Sequence, residues 1–304
     1  MTSSQATQFH AFRSDEGRAR YLAAYDAVLR EWPVSFEELD LPTRFGTTHV
    51  IASGPRDAPP LVLLPSLAAS ATLWRPTVAA LGEHYRVYAV DVIGQTGKSV
   101  QTRKLGDRSG MAGWLSDVLD ALEVPRASIV GASYGGFIAM NQASRTPERV
   151  DRVVLIGPAG VFVGVSLKIL FRGVMRAIWR KLFAPNRPRD IAELLGPHAR
   201  FGPEDARWRE LMAITMTVSA IPDTLWNLVL DDAELAAIKT PTLLLIGEHE
   251  QLYAPATLAL AQRRMPGLAG AIVPDAHHLA ALAQPGDVNG RILEFLSAGA
   301  PSRS

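Results

Sequence analysis

The sequence predicts an α/β fold: a mostly parallel central sheet with helices on both faces and a long helical insertion. Apolar β-branched runs alternate along the chain with segments of helical periodicity, as in parallel α/β proteins. Several of these runs are apolar at consecutive positions, which is typical of strands buried on both faces. With 304 residues, 48% of them apolar, the chain is long enough for one large domain with a sizeable core.

Composition restricts the class of protein further. The net charge of +1 gives no support to a nucleic-acid-binding surface, and the absence of cysteine excludes disulfides and thiolate metal sites. The first ten residues are polar, unlike a signal peptide, and no apolar run reaches the ~18 residues of a membrane span. We expect a cytoplasmic protein without a nucleic-acid partner, and leave its oligomeric state open.

The elements follow from apolar periodicity and from proline and glycine punctuation. Residues 1–11 are predicted to be disordered, and helices are predicted at 14–31, 74–82, 109–122 and 286–296, with a further helix after Ser133. Strands are predicted at Phe36–Leu41, Thr47–Ala52, Leu61–Leu64, Tyr85–Val90, Ser128–Gly131, Val150–Ile156, Thr242–Ile246 and Gly270–Val273, the first two forming a hairpin.

The division of the chain follows from a break in this alternation. Residues 158–236 have helical spacing and no strong strand signal, and the segment is too long for a plain connector. We predict a helical cap there, over the carboxyl ends of the strands, where ligands bind in open α/β sheets. Residues 36–157 and 237–304 form the predicted core, and residues 1–35 an N-terminal extension with a helix.

One stretch carries a serine on a sharp turn. The β-branched run 128–130 leads into Gly131-Ala132-Ser133-Tyr134-Gly135, and small residues at helical spacing follow. A strand, a tight turn and a helix around Gly-x-Ser-x-Gly are the context of a nucleophile elbow. Glycines are needed because the backbone at the serine is strained and its neighbours crowd the helix. The same pattern could also be a glycine-rich turn without chemistry.

Two further strand ends carry an acid and a histidine. Glu250 follows the run that ends at Ile246, and His278 follows the run that ends at Val273. Serine, acid, histidine is the chain order of the α/β-hydrolase triad. A serine hydroxyl needs a nearby base such as imidazole, which in turn needs a carboxylate on its other nitrogen. We predict Ser133 as nucleophile, His278 as general base and acid, and Glu250 as the orienting acid.

The negative charge that develops on a reacting carbonyl oxygen requires hydrogen-bond donors. The start of the helix after Ser133 offers backbone N–H groups without intrahelical acceptors. We predict an oxyanion hole formed by the backbone N–H of Tyr134 and that of Leu67, which follows the first buried strand.

These motifs identify the chain as similar to α/β-hydrolase-fold serine hydrolases with a helical cap. More closely, it resembles the bacterial carboxylesterases of the naproxen-esterase type. The closer resemblance is carried by Trp32-Pro33-Val34, the segments Pro42–Pro55, Ala58–Leu64, Tyr88–Asp91 and Gly247–Glu250, and Gln284-Pro285. It implies hydrolysis of small-molecule carboxylic esters through an acyl-enzyme, without metal or cofactor.

The chain departs from the general family pattern at two positions. Pro65-Ser66 stands where the family usually has His-Gly, so Ser66 either adds a hydroxyl donor or restricts the loop and weakens the site. Glu250 stands where most relatives have Asp, a difference that a small shift accommodates and that the naproxen-esterase type shares.

Several residues near the acid and the histidine could take a different role. His277 could be the base, although the family spacing to Pro285 favours His278 and leaves His277 as a structural or pocket-lining residue. Asp275 could be the acid, but a position so close to the histidine is more often part of a turn. Glu248 and His249 could bind a metal ion, but Glu-His-Glu without further ligands is a weak signal for a metal site.

Two more motifs have ordinary explanations. Gly94–Ser99 ends like a Walker A loop, but the first glycine of that motif would fall at Val92, so the phosphate cradle is incomplete. Asp91 is interpreted as a structural carboxylate at a strand end.

The cap supplies the candidate pocket residues. Lys168, Arg172, Arg176 and Arg180 recur every fourth residue among apolar neighbours, a pattern that can lie at an acidic membrane surface. We interpret it instead as a lid helix with its apolar face over the pocket and its basic face in solvent. Candidate pocket residues, which could equally be internal packing, are Ser66, Phe162, Phe171, Met175, Trp179, Leu211, Met212, Met216, Trp226 and His277.

We therefore predict a serine carboxylesterase for uncharged, fairly apolar esters. A thioesterase, an acyltransferase or a hydrolase of carbon–carbon bonds next to a carbonyl would use the same triad. A non-catalytic ligand-binding protein with this fold is the competing hypothesis from another class.

Overall fold

The structure is a computed structural model that describes residues 11–163, 190–195, 199, 201–220, 229–250 and 256–298. Its strands are β1 (Phe36–Thr43), β2 (Gly46–Ser53), β3 (Pro60–Leu64), β4 (Arg86–Val90), β5 (Val100–Gln101), β6 (Ala127–Ala132), β7 (Val150–Ile156), β8 (Thr242–Gly247) and β9 (Ala269–Val273). All eight predicted strands are present, within two residues at each end. The two-residue strand β5 was not predicted.

The sheet order is β1-β2-β4-β3-β6-β7-β8-β9, with β5 paired to β2. From β4 to β9 every pair is parallel, whereas β2 pairs antiparallel with β1, β4 and β5. The predicted mostly parallel sheet is therefore confirmed. Strand β3 lies beside β6 with Leu64 opposite Gly131, so the chain that follows each strand emerges at the same edge.

The helices of the described residues lie mainly between these strands. They are α1 (Asp15–Leu29), α2 (Arg75–Gly82), α3 (Arg108–Ala121), α4 (Tyr134–Arg145), α5 (Ile191–Leu195), α6 (Ala206–Val218), α7 (Asp232–Ala237), α8 (Ala256–Arg264), α9 (Ala280–Ala283) and α10 (Pro285–Ser297). Among the residues described, none of these helices is long and apolar enough to cross a membrane.

Both faces of the sheet are covered by apolar side chains. In β3, Leu61 and Leu63 belong to the cluster that contains residues of α1, α2 and α10, while Val62 and Leu64 belong to the cluster with α3 and α4. Successive residues of a strand point to opposite faces, so two layers of helices bury an uninterrupted apolar run.

The N-terminal helix α1 joins the core to the insertion. The Ser14 side chain caps it by accepting from the Gly17 N–H at 3.0 Å. The segment before it hydrogen-bonds the chain after α6, with the Arg13 N–H donating to the Val218 carbonyl at 2.9 Å. Helix α6, which belongs to the predicted cap, is thus hydrogen-bonded through its C-terminal end to the N-terminal extension. Residues 1–11 are predicted to be disordered; Ala11 is described and accepts a hydrogen bond from the Ala220 N–H, whereas residues 1–10 fall outside the described residues. The basic segment from Lys168 to Arg180 also falls outside them.

Candidate active site

The strand–turn–helix around Ser133 has the strained backbone that the sequence leads one to expect. Strand β6 ends at Ala132, helix α4 begins at Tyr134, and Ser133 between them has φ 50° and ψ −112°. A Cβ at Gly135 would lie 2.0 Å from the Leu64 carbonyl oxygen, and one at Gly131 would lie 2.3 Å from the Gly135 carbonyl oxygen. The turn therefore tolerates only glycine at both positions, because each collision is with backbone.

Three side chains from separate strand ends form a continuous hydrogen-bonded chain. The Ser133 Oγ lies 3.0 Å from the His278 Nε2, and the His278 Nδ1 lies 2.7 Å from the Glu250 Oε2. The Glu250 side chain is fully buried, and that of His278 is nearly so. A carboxylate only accepts, so the imidazole donates from Nδ1; in the neutral ring the Nε2 is then the acceptor that faces the serine hydroxyl.

The loops that carry the acid and the histidine are fastened to each other. The Glu248 N–H donates to the Val273 carbonyl at 2.9 Å, and the His249 N–H donates to the Ala276 carbonyl at 2.8 Å. These backbone bonds extend the β8–β9 pairing beyond the strands. They fix the separation of Glu250 and His278 without relying on flexible side chains.

Gly157, just past β7, leaves the space in which the acid and the histidine meet. Its φ is +50°, and a Cβ there would lie 3.0 Å from the Glu250 Oε2 and 3.2 Å from the His278 Nδ1. Sequence reasoning missed this residue. The available signal was a glycine directly after a buried strand, at the same edge of the sheet as the serine.

The loop after β3 lies beside the turn that carries Ser133. Leu67 is exposed, and Tyr134, at the first position of α4, is buried. Ser66 is only 7% exposed, and its Oγ has no hydrogen-bond partner among the described residues. A buried hydroxyl without a partner is uncommon in folded proteins. This loop therefore contains a donor that the rest of the described chain does not use.

His277 is packed away from this hydrogen-bonded chain. It is fully buried, and its Nδ1 accepts from the Leu279 N–H at 3.1 Å. Burial, assisted by the neighbouring His278, lowers the pKa of His277 to about 4, so its imidazole is neutral at pH 7. Its ring contacts Phe201, with the two ring centroids 6.1 Å apart. The described contacts fit the structural interpretation of His277 and leave His278 as the partner of Ser133.

Asp275, Glu248 and His249 lie beside the hydrogen-bonded chain. Asp275 is exposed, and its N–H donates to the Glu248 Oε2 at 3.1 Å, whereas the carboxylate on the His278 Nδ1 is that of Glu250. Glu248, His249 and Asp275 each bring one potential metal ligand atom within 4.8 Å of the others. Both carboxylates are exposed to solvent, which is the ordinary environment of acidic groups without an ion.

Asp91 stabilises the loops after β3 and β4. It is fully buried and accepts from the Ala71 and Lys98 N–H groups, each at 2.7 Å. Burial raises the pKa of Asp91, and the electrostatic interaction with His49 and the hydrogen bonds from these two donors act in the opposite direction. The segment that resembles part of a Walker A motif is thus a loop folded around this carboxylate.

The predicted pocket residues have mixed surroundings. Phe162, Leu211 and Met212 are buried in the apolar clusters, and Met216 packs against one of these clusters while half-buried. Four further candidates, Phe171, Met175, Trp179 and Trp226, fall outside the described residues. A pocket wall formed by these side chains stays a prediction.

Comparison with known proteins identifies the family. Residues 59–285 match the family model described as alpha/beta hydrolase fold. The chain is 36% identical over 295 residues to Carboxylesterase YbfK of Bacillus subtilis, covering 95% of this chain and 97% of that one. It is 35% identical over 290 residues to a second Bacillus subtilis protein, the uncharacterised carboxylesterase nap, covering 94% of each chain.

Solved structures lead to the same group. The crystal structure of carboxylesterase CesB (YbfK) from Bacillus subtilis matches with a TM-score of 0.82 and 34% identity, over 94% of this chain and 100% of that chain. That of naproxen esterase (carboxylesterase NP) from Bacillus subtilis matches with a TM-score of 0.79 and 34% identity, over 93% and 99%. The chain belongs to the alpha/beta hydrolase fold family and, within it, to the group of these bacterial carboxylesterases.

Proposed function

We propose that this protein is a serine carboxylesterase that hydrolyses uncharged, fairly apolar esters through an acyl-enzyme on Ser133. The observation that carries the proposal is the chain of two hydrogen bonds, 3.0 and 2.7 Å long, that joins Ser133 to His278 and His278 to Glu250. A serine, an unprotonated imidazole nitrogen and a buried carboxylate in this order are the components of an activated nucleophile.

In the acylation step the Ser133 Oγ attacks the carbonyl carbon of the ester. The His278 Nε2 accepts the hydroxyl proton as the Oγ–C bond forms, and Glu250 stabilises the resulting imidazolium through Nδ1. Collapse of the tetrahedral intermediate breaks the bond to the alkoxy group, which leaves as the alcohol with the proton from Nε2. The acid part of the substrate is then an ester of Ser133.

In the deacylation step water takes the place of the alcohol. His278 removes a proton from the water, whose oxygen attacks the acyl carbon, and then returns that proton to the Ser133 Oγ as the carboxylic acid leaves. In both steps, negative charge on the carbonyl oxygen is stabilised by the backbone N–H groups of Leu67 and Tyr134. The Ser66 hydroxyl, which has no hydrogen-bond partner within the described part of the chain, is a candidate third donor.

The rest of the predicted organisation belongs to this proposal. A cap formed by residues 158–236 supplies an apolar binding site for the substrate, which favours uncharged esters. The cytoplasmic location, the small-molecule substrate and the absence of a nucleic-acid partner stay predictions. The basic segment from Lys168 to Arg180 is likewise still only predicted to be a lid helix and not a helix that contacts a membrane.

The test is covalent labelling with an alkyl fluorophosphonate, which phosphonylates an activated serine and releases fluoride. We expect one adduct per chain, located on Ser133 by peptide mass spectrometry, and none in Ser133→Ala. Ser128→Ala removes another buried serine, from the strand that leads to Ser133, and should label as the wild type does. Folded wild-type protein that hydrolyses no ester and takes up no label would contradict the proposal.

Substrate panels then separate the chemically related functions. We expect p-nitrophenyl esters of medium-chain acids to be hydrolysed with higher kcat/KM than matched thioesters or charged hemiesters, and Ser133→Ala to lose a factor of about 10⁵ in kcat. Higher kcat/KM for the thioesters would indicate a thioesterase. Product esters formed in the presence of a second alcohol, in place of free acid, would indicate an acyltransferase.

A further inference from the structure

The loop that carries Leu67 contains a backbone conformation that its residue type does not favour. Residues 66–69 form a turn closed by the hydrogen bond from the Ala69 N–H to the Ser66 carbonyl at 3.0 Å. Ala68, at the third position, has φ 58°. Turns with a positive φ at that position normally have glycine there, because a Cβ makes this region costly. Something outside the turn must hold Ala68 in place.

Gln95, on the loop after β4, contacts this point. Its Oε1 accepts from the Ala68 N–H at 2.9 Å, and the residue is only 4% exposed. Because a backbone N–H can only donate, the amide oxygen must face Ala68. The Nε2 has no hydrogen-bond partner among the described residues. Within the described chain, the Gln95 side chain therefore makes one hydrogen bond, the bond to the strained turn.

The turn contains the N–H groups of residues 66–69, and two of them, those of Ala68 and Ala69, are already committed. Ala68 donates to Gln95 and Ala69 to Ser66, whereas the Leu67 N–H has no acceptor among the described residues. At the far end of the loop, the Ala71 N–H is held by the buried Asp91 carboxylate at 2.7 Å. Hydrogen bonds from Ala68, Ala69 and Ala71 thus hold the loop directly after Leu67, and the Leu67 N–H is left available to a ligand.

We propose that Gln95 is a positioning residue of the oxyanion hole: it holds the Leu67–Ala68 peptide so that the Leu67 N–H is ready for the oxyanion. This inference rests on the proposed function and names a residue that sets the geometry of the same site. Preorganised donors stabilise developing charge most effectively, and a misplacement of about 1 Å can cost about a hundredfold in rate.

The test is Gln95→Met, which retains the length of the side chain and removes the acceptor. We expect kcat for a p-nitrophenyl ester to fall by about tenfold to a hundredfold, with KM changed by less than about threefold. A trifluoromethyl ketone forms a tetrahedral adduct with the serine, and its Ki should rise by about the same factor as kcat/KM falls. Substitution of a residue that only stabilises the fold would change neither kcat nor the inhibitor Ki.

Two further variants separate positioning from stability. Adding Ala68→Gly to Gln95→Met should restore kcat by about threefold or more, because glycine adopts a positive φ without support. Gln142→Met is the matched control: Gln142 is also fully buried, and its Nε2 donates to Ser116 and Thr146 at 2.9 and 2.7 Å. We expect that variant to melt at a lower temperature and to retain kcat and the inhibitor Ki.

The outcomes distinguish the inference from the proposed function. An active wild type, labelled on Ser133, with a Gln95→Met variant of unchanged kcat and Ki would overturn the inference alone. So would equal impairment of Gln95→Met with and without Ala68→Gly. Folded wild type that neither hydrolyses esters nor takes up the fluorophosphonate would overturn the proposed function, and the inference with it.

Discussion

The two sides of the candidate active site accommodate unfavourable backbone geometry differently. On what we call the glycine-lined side, Gly131, Gly135, Gly157 and Gly247 stand where an added Cβ would lie within 2.0 to 3.0 Å of another atom. The loop of residues 65–69, which we propose to form part of the oxyanion hole and call the oxyanion loop, contains no glycine, although Ala68 has φ 58°. One side uses residues without a side chain, and the other uses a strained alanine held by a hydrogen bond from its N–H.

The difference shows which constraints are steric and which are conformational. Where backbone meets backbone, as at Gly135 and the Leu64 carbonyl, no rearrangement of side chains makes room. Where only a dihedral angle is unfavourable, as at Ala68, a single buried acceptor compensates. The first kind of site should fail outright on substitution, whereas the second should respond in graded steps.

Gly135→Ala should have the largest effect. Its Cβ would overlap the Leu64 carbonyl oxygen at 2.0 Å, so the elbow and β3 must separate. We expect a loss of about 3 kcal/mol or more in the free energy of unfolding, together with loss of ester hydrolysis. Urea unfolding measures the first quantity. Gly290→Ala, in helix α10 with open space around it, is the control and should stabilise the protein by up to ~1 kcal/mol. An unchanged midpoint in Gly135→Ala would show that the elbow moves freely.

His277 belongs to the glycine-lined side, because its carbonyl oxygen would lie 2.5 Å from a Cβ at Gly247. The pH dependence of stability therefore tests this side of the site. Its pKa of about 4 in the folded protein, below the ordinary value of 6.5, means that the unfolded chain binds the proton more readily. The neutral His277 imidazole therefore makes its full contribution to the free energy of unfolding above pH 6.5. This contribution decreases as the pH falls from 6.5 to 4, and no further change is expected below pH 4. The loss is on the order of 3 kcal/mol.

The measurement compares unfolding free energies of wild type and His277→Gln at several values between pH 7 and pH 4. Glutamine can still accept from the Leu279 N–H but does not titrate. The advantage of the wild type should shrink towards acid pH as its buried imidazole is forced to take up a proton. Parallel pH curves for the two proteins would show that His277 is not the titrating group.

Gly157→Ala should act on catalysis more than on folding. The added Cβ would be 3.0 Å from the Glu250 Oε2, and φ +50° is unfavourable for alanine. We expect kcat to fall by about tenfold to a hundredfold because the acid shifts relative to His278, with a smaller change in KM. Stopped assays with p-nitrophenyl esters measure both. A variant with wild-type kcat would mean that the acid and the histidine tolerate displacement.

Ser66→Ala gives the smallest expected effect and concerns the oxyanion loop. If the buried hydroxyl donates to the oxyanion, kcat should fall by about tenfold, less than for a lost backbone donor because two N–H groups remain. Ser66→Gly serves as a comparison, because it also loses the hydroxyl and should fall at least as far. Full activity in both variants would show that the hydroxyl takes no part.

Residues 242–246 illustrate how far the sequence alone carries the fold. Their uninterrupted apolar run predicted strand β8, because burial on both faces requires apolar residues at consecutive positions. The structure extends the strand by one residue to Gly247. Strand β5 has only two residues and leaves no such signal. Helix α8 was missed because its buried residues are Thr257 and Ala261, which are too small to mark an apolar face.

The candidate active site also contains residues that the sequence pattern could predict and residues that it could not. Ser133, Glu250 and His278 were recognisable because each follows a strand and the carboxyl ends of parallel strands meet at one edge. Gln95 was not, because its contact with Ala68 joins two loops 27 residues apart and depends on a dihedral angle. Gly157 could have been found from its place after β7, but the reason for the glycine lies in Glu250, far along the chain.

The junction between α1 and α6 has a practical consequence for engineering. The Ala220 N–H donates to the Ala11 carbonyl at 2.9 Å, a Cβ at Gly17 would lie 3.1 Å from Val218, and Glu31 pairs with Arg207. The chain ahead of β1 is thus a strap across one helix of the insertion. A version trimmed to begin at β1 would expose the apolar side of α6 and aggregate, whereas a fusion partner placed ahead of residue 11 leaves the strap intact.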